Sequence, residues 1–218
     1  CRQDLKPGTC NYPSASRPAG GLNLNESQAH FAAWAVVSSP LTIGHDLYDD
    51  DAYDAAWPVV SNRDAIRVNQ AFAGDAGRLI ATSTESLNNL LMFHGAGCEC
   101  PYKGSLPRWA VFAKRLDGLA KSRDSYEAGV VAINFANHSL PAGTIKLSLD
   151  KIFGNVNDMD GPNRGYDFSL QAERDVWGKR DIDVDEQRAL AVEWSVGELA
   201  PRSSYFAVLT RVRMPSKH

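Results

Sequence analysis

Carboxylates crowd two short stretches of the chain: Asp46, Asp49, Asp50, Asp51 and Asp54 in one, Asp181, Asp183, Asp185 and Glu186 in the other. Paired carboxylates can divide the acid and base roles of a hydrolysis when a fold holds them together in a sheltered site. Neither stretch reads that way. The run from Asp49 to Asp54 stands in a solvated loop and helix start, where negative side chains complement the helix dipole. A solvated first turn accounts for it better than catalysis does. The second stretch alternates beside a turn and belongs to the surface. His45 and Asp46 are different, because they follow Leu41-Thr42-Ile43-Gly44, an apolar run that suits a buried parallel strand. Residues just past the carboxyl end of such a strand face the ligand in (β/α) barrels. Both are therefore candidates for a pocket mouth, with Asp46 capping the next turn as the structural alternative.

Other side chains with chemistry read more plainly. His94, Cys98 and Cys100 share one loop, but three ligands without a fourth make a poor metal site, and no metal is expected. His30, beside Phe31, reads as a partly buried histidine. Trp109, Trp177 and Trp194 lie on or beside apolar β runs, where core packing is the default and sugar stacking the minority role. Cys1 and Cys10 are spaced to close a short disulfide loop, whereas a Cys98–Cys100 bridge would form a small strained ring, so Cys98 is expected to join Cys100 or nothing. The triplets Asn25-Glu26-Ser27 and Asn137-His138-Ser139 make Asn25 and Asn137 glycosylation candidates.

The elements that must position these groups fall into three regions. Residues 1–21, rich in Pro, Gly, Ser and Cys, form a loop held by cysteines. Residues 22–77 are helical with one strand. Asn23 or Asn25 caps a helix over Asn25–Ser39 whose apolar positions are Phe31, Trp34, Ala35 and Val37. Pro40 ends it, and Ser61-Asn62 caps a further helix, Asp64 to Gln70. Residues 78–218 turn to short β runs, among them GRLIATS, NLLMFHG, RWAVFAKRL, GVVAINFAN, GTIKLSL, LAVEWSV and SSYFAVLTRV. Such runs, separated by Gly, Pro, Asn and Asp, predict an antiparallel β-sandwich.

Composition excludes several classes. The net charge of −3 with interleaved signs carries no basic footprint for nucleic acid. No apolar run reaches the eighteen or so residues of a membrane-spanning helix. The chain begins at Cys1 with no charged-then-apolar leader, and is expected to be processed or part of something longer.

The order of landmarks carries a resemblance. HFAAWAVVSSPLTIGHDL followed by SNRDAIRVNQ resembles the end of the catalytic barrel in the α-galactosidase and α-N-acetylgalactosaminidase family of retaining glycosidases. That family has a Trp- and Ala-rich helix, Ala-Pro-Leu, an apolar strand with Gly, Asn-Asp-Leu, and a stretch close to Asn-Lys-Glu-Val-Ile-Ala-Ile-Asn-Gln-Asp. Further on, RWAVFAKRLDG, VVAINFANHS, DVWGKRDI and LAPRSSYFAVLTRV are similar, in order, to strands and turns of its carboxyl-terminal β-domain. The resemblance covers Gly21 to Val212. It implies the last strand and helices of a (β/α)8 barrel followed by an antiparallel β-sandwich.

It also implies α-galactoside glycans as ligands and no cofactor. With the cysteines and the triplets, it favours a secretory, vacuolar, lysosomal or extracellular setting. A retaining mechanism needs two carboxylates roughly 5 Å apart. The family's two catalytic aspartates sit in Lys-Tyr-Asp-Asn-Cys and Asp-Asp or Gly-Asp contexts, and neither context occurs here. Two further departures stand out. NYPSASRPAG replaces the Asn-Asp-Pro-Asp-Met-Leu strand, and Ala71 stands where the family usually has Asp. No catalytic residue is therefore expected in this chain. One strand and two helices cannot close a barrel, so an upstream segment or a companion chain is expected to complete it. The alternative is a catalytically inactive relative, kept as a structural or interaction subunit of an extracellular or membrane-associated assembly.

Overall fold

The computed structural model describes residues 22–42, 48–71, 76–87, 90–91, 102–103, 106–116, 125–154, 167–191 and 193–214. Three helices come first: α1 (Leu24–Val36), α2 (Asp50–Val60) and α3 (Arg63–Gln70). Each starts at a side-chain cap. Asn23 and Glu26 form a reciprocal capping box on α1, at 3.0 Å in both directions. Asp49 Oδ1 accepts from Ala52 N, and Asn62 Oδ1 from Ala65 N, each at 3.0 Å. Of the two capping candidates on α1, Asn23 takes the role and Asn25 lies inside the helix.

The strands follow: β1 (Arg78–Thr82), β2 (Ser86–Leu87), β3 (Leu90–Leu91), β4 (Tyr102–Lys103), β5 (Leu106–Pro107), β6 (Trp109–Arg115), β7 (Ser125–Asn134), β8 (Lys146–Ser148), β9 (Asp167–Asp175), β10 (Arg180–Ile182), β11 (Glu193–Ser195) and β12 (Ser204–Met214). A short helix, α4 (Leu149–Phe153), follows β8. Six strands build one antiparallel sheet in the order β1-β6-β7-β12-β9-β10. β12 lies at its centre, paired with β7 from Ser204↔Ile133 to Val212↔Ser125. A smaller antiparallel pair, β8 with β11, packs with α4 on one face of the main sheet.

The sheet therefore has two cores. On one face Val111, Val130, Leu170 and Leu209 meet Leu147, Ile152, Phe153 and Trp194. On the other, Val131, Ile133, Phe206 and Val208 meet Ala29, Ala32, Ala35 and Val36 of α1 and Ala65 and Val68 of α3. Small side chains let both helices lie close to the strands. Gly129 shows how close: a Cβ there would stand 2.8 Å from Val68 Cγ1. Gly129→Val should therefore push α3 off the sheet and cost about 1–3 kcal/mol. Urea unfolding measures it, and an unchanged midpoint would show that α3 does not bear on the sheet there.

Two expectations are corrected, both in α1. The helix ends at Val36 rather than Ser39, because Ser38 turns the chain with φ 58° before Pro40 is reached. Its buried face is Ala29, Ala32, Ala35 and Val36, while Trp34 is 41% exposed. Alanine, not the aromatics, makes the close contact. In the expected strand from Leu41 to Gly44, Leu41 and Thr42 form no ladder, and Ile43 and Gly44 lie outside the described residues. A parallel barrel strand needs hydrogen-bonded neighbours, and no described strand pairs with this segment.

Candidate functional surface

The helical layer has an inner face on the sheet and an outer face that the described residues leave open. On α1, His30 and Trp34 lie on the side away from the buried alanines, as a 3.6-residue repeat requires, so that His30 is exposed rather than partly buried. His30 meets Trp34 edge-on, with ring centroids 5.5 Å apart. On α2 the same repeat lines up Asp50, Tyr53, Asp54 and Trp57, and Tyr53 stacks on Trp57 at 5.2 Å. Trp57 is 48% exposed, and Val59 is the buried residue of the helix. An eleven-residue helix with so little buried surface gains little from its own packing.

That layer is clamped to the sheet by polar groups from both sides. Lys114, buried in β6, donates from Nζ to the carbonyls of Val68 at 2.6 Å and Asn69 at 3.0 Å. The cation thus sits at the negative end of α3. Asn69 in turn donates from Nδ2 to Ser39 O at 2.8 Å and Trp34 O at 3.4 Å, tying the end of α1. Asn62, also buried, caps α3 with its oxygen and donates to Val176 O at 2.8 Å with its nitrogen. Arg174 Nε donates to Asp64 Oδ2 at 2.8 Å, and its Nη1 to Asp181 Oδ1 at 3.0 Å.

At the other end of α1, Arg202 donates to Glu26 Oε1 at 2.9 Å. The Asn23 backbone N–H, then Arg202, holds the Glu26 carboxyl below its ordinary value of 4.5. A depressed carboxylate stabilises the fold above its unfolded value and stops doing so as pH falls through the folded one. Acidification below pH 4.5 should therefore loosen the start of α1, and Glu26→Gln should remove that dependence. Hydrogen exchange of the first α1 amides against pH measures it; equal acid sensitivity in the variant would contradict it.

Beneath the opposite face lies a buried carboxylate. Glu173 accepts from Tyr205 Oη at 2.7 Å and Trp194 Nε1 at 3.3 Å, and takes Arg188 as its ion-pair partner. Burial first, then the bond to Glu173, pushes the Tyr205 hydroxyl well above its ordinary range. Arg211 lies between the rings of Phe153 and Phe168, 4.6 and 4.3 Å from their centroids, and donates to Asp150 at 3.1 Å. Burial lowers its pKa.

Several of the described carboxylates have structural partners. Asp49 caps α2, Asp185 caps the one-turn helix Glu186–Ala189, and Asp175 Oδ1 accepts from Gly178 N at 2.9 Å. Glu85 and Glu127 pair with Arg108 and Arg67. Trp194 is buried, and Trp177 packs edge-on against Phe206 while donating to Ser204 Oγ at 3.2 Å.

His45, Asp46, Cys1, Cys10, His94, Cys98 and Cys100 lie outside the described residues. Among the described residues, no cluster of His, Cys, Asp or Glu is placed to hold a metal, and no helix is long and apolar enough to cross a membrane. The buried Lys114 and Glu173, and the partly buried Asn69, have no role in the sequence reading. Their signal there is faint: Lys114 and Glu173 sit within strands, where a charge that cannot reach water must have a partner.

In sequence and in fold this chain is similar to α-galactosidases. The chain is 35% identical over 81 residues to α-galactosidase 3 of Arabidopsis thaliana, a stretch that covers 37% of this chain and 18% of that protein. No family profile matches the chain. The fold is shared with α-galactosidase I of Mortierella vinacea (TM-score 0.57, 15% identity, 89% of this chain and 37% of that one). It is shared also with a putative α-galactosidase/melibiase of Bacteroides fragilis (TM-score 0.56, 18% identity, 86% and 29%). The α-galactosidase of Saccharomyces cerevisiae gives a TM-score of 0.51 at 19% identity, covering 91% of this chain and 45% of that one. The chain is thus related to the α-galactosidases, resembles their carboxyl-terminal part, and spans less than half the length of each of these relatives.

Proposed function

We propose that the chain serves as the carboxyl-terminal part of an α-galactosidase-like retaining glycoside hydrolase whose two catalytic aspartates lie outside these 218 residues. The observation that carries this reading is the open outer face of α1 and α2, with Trp34 and Trp57 exposed, in a chain spanning only part of its relatives. Residues 22–77 are then the closing part of a (β/α)8 barrel, and residues 78–218 a β-domain that braces it. Lys114, Asn69 and Asn62 are the joints, because they fix the ends of α1 and α3 against the sheet. An upstream segment or companion chain supplies the covering surface, and His45 and Asp46 stand at the mouth of the completed pocket. The substrate class is α-galactosides, and the setting a secretory, vacuolar, lysosomal or extracellular compartment.

The same open face supports a second reading, a catalytically inactive subunit docked through its aromatic helices. Peptide mapping with intact mass spectrometry of the native protein tests the first. The expected result is a polypeptide longer than 23.8 kDa, or a stoichiometric companion, bearing carboxylate-containing barrel strands. A native species of that mass with no companion would overturn it. A companion without α-galactoside turnover would favour the inactive subunit.

A further inference from the structure

The two Asn-x-Ser triplets occupy opposite structural situations. Asn25-Glu26-Ser27 lies in the first turn of α1. There Asn25 is half-buried, Ser27 N donates to Asn23 O at 2.8 Å, and Ser27 Oγ donates to Leu22 O at 3.4 Å. A sugar on Asn25 would have to be accommodated in this half-buried turn, beside the capping box that starts α1. Glu26 is committed to the capping box and to Arg202.

Asn137-His138-Ser139 is a bend between the end of β7 and the Leu140↔Leu199 bridge, and all three residues are exposed. The bend is held from beneath, so its exposure does not depend on loose chain. Asn134 Nδ2 donates to His138 O at 2.9 Å and Ala200 O at 2.9 Å, and its oxygen accepts from Ala136 N at 2.9 Å. Asn137 itself makes one side-chain contact, through its oxygen, to His138 Nδ1 at 3.4 Å. The amide nitrogen that would carry a sugar takes no part in it.

In the secretory lumen that the proposed setting implies, we propose that Asn137, and not Asn25, is the acceptor of an N-linked glycan. The transferred group comes from a lipid-diphosphate-linked oligosaccharide. The Asn137 amide nitrogen bonds to the anomeric carbon, the bond from that carbon to the diphosphate oxygen breaks, the lipid diphosphate leaves, and the nitrogen gives up a proton.

The test is translation of the full 218-residue chain behind an added cleavable signal sequence, with endoplasmic-reticulum microsomes. Protease-protected chain should show a single mobility step that an amidase specific for Asn-linked glycans removes. Asn137→Gln and Ser139→Ala should each abolish that step, and Asn25→Gln should leave it intact. Both residues of the Asn137 triplet are exposed, so these variants keep the fold. A protected chain with no step, or a step lost in Asn25→Gln and kept in Asn137→Gln, would overturn the assignment. The setting itself is read separately, by fractionating the native protein. Its absence from endomembrane and extracellular fractions would defeat the secretory reading while leaving the microsome result standing.

Discussion

Glu173→Ala should destabilise the protein by about 2–4 kcal/mol, because a buried donor, Trp194 Nε1, and a partly buried one, Tyr205 Oη, lose their acceptor together. Arg188 contributes less to that loss. Its side chain is 38% exposed, and water takes over part of the carboxylate's role. Glu173→Gln keeps an acceptor in place and should cost less than the alanine. The network also makes an alkaline prediction. The Tyr205 hydroxyl is raised above its ordinary value of 10.0, chiefly by burial. The folded state therefore holds that proton at a pH where the unfolded chain has lost it. Stability is intact below the unfolded value and declines as pH rises past 10. Tyr205→Phe should flatten that decline. Urea midpoints between pH 7 and 11 provide the measurement; an alkaline slope unchanged in Tyr205→Phe would show that another group carries it.

Lys114→Ala should have the second large effect, about 2–3 kcal/mol. It leaves the Val68 and Asn69 carbonyls without their donor and the negative end of α3 without its cation. The loss should be local in character. Hydrogen exchange should quicken across α3 and at the end of α1, which Asn69 ties down, while β7 and β12 keep their protection. Equal loss of protection throughout the sheet would mean that Lys114 supports the core rather than the joint.

Much of this architecture was legible in the residues. Asn62 before an apolar-periodic run marks α3, and the β runs around Trp109, Val130 and Phe206 mark the three central strands, because their apolar character follows from burial on both faces. β9 was not legible. Its sequence, DFSLQAERD, carries Glu173 and Arg174 where an apolar alternation would be expected, and those charges sit in the sheet because distant residues, Arg188 and Asp64, meet them. The face of α1 was misread for a related reason. Trp34 looks like a core residue by hydrophobicity, yet the helix needs alanine to lie against strands whose own side chains fill the space. Its exposure became informative only once the sheet had been placed. The candidate site was legible least, since both the resemblance and the open helical face point to groups beyond the described residues.

The central claim is that this chain completes a hydrolase without holding its catalytic pair. Turnover of a chromogenic α-galactoside by the purified 218-residue chain, free of any longer species, tests it most directly. The account predicts no turnover, and no change in that result when Asp46 or Asp49 is replaced by Asn. Turnover that disappears on either substitution would contradict it, and would place the catalytic carboxylates in the stretch from Asp46 to Asp54.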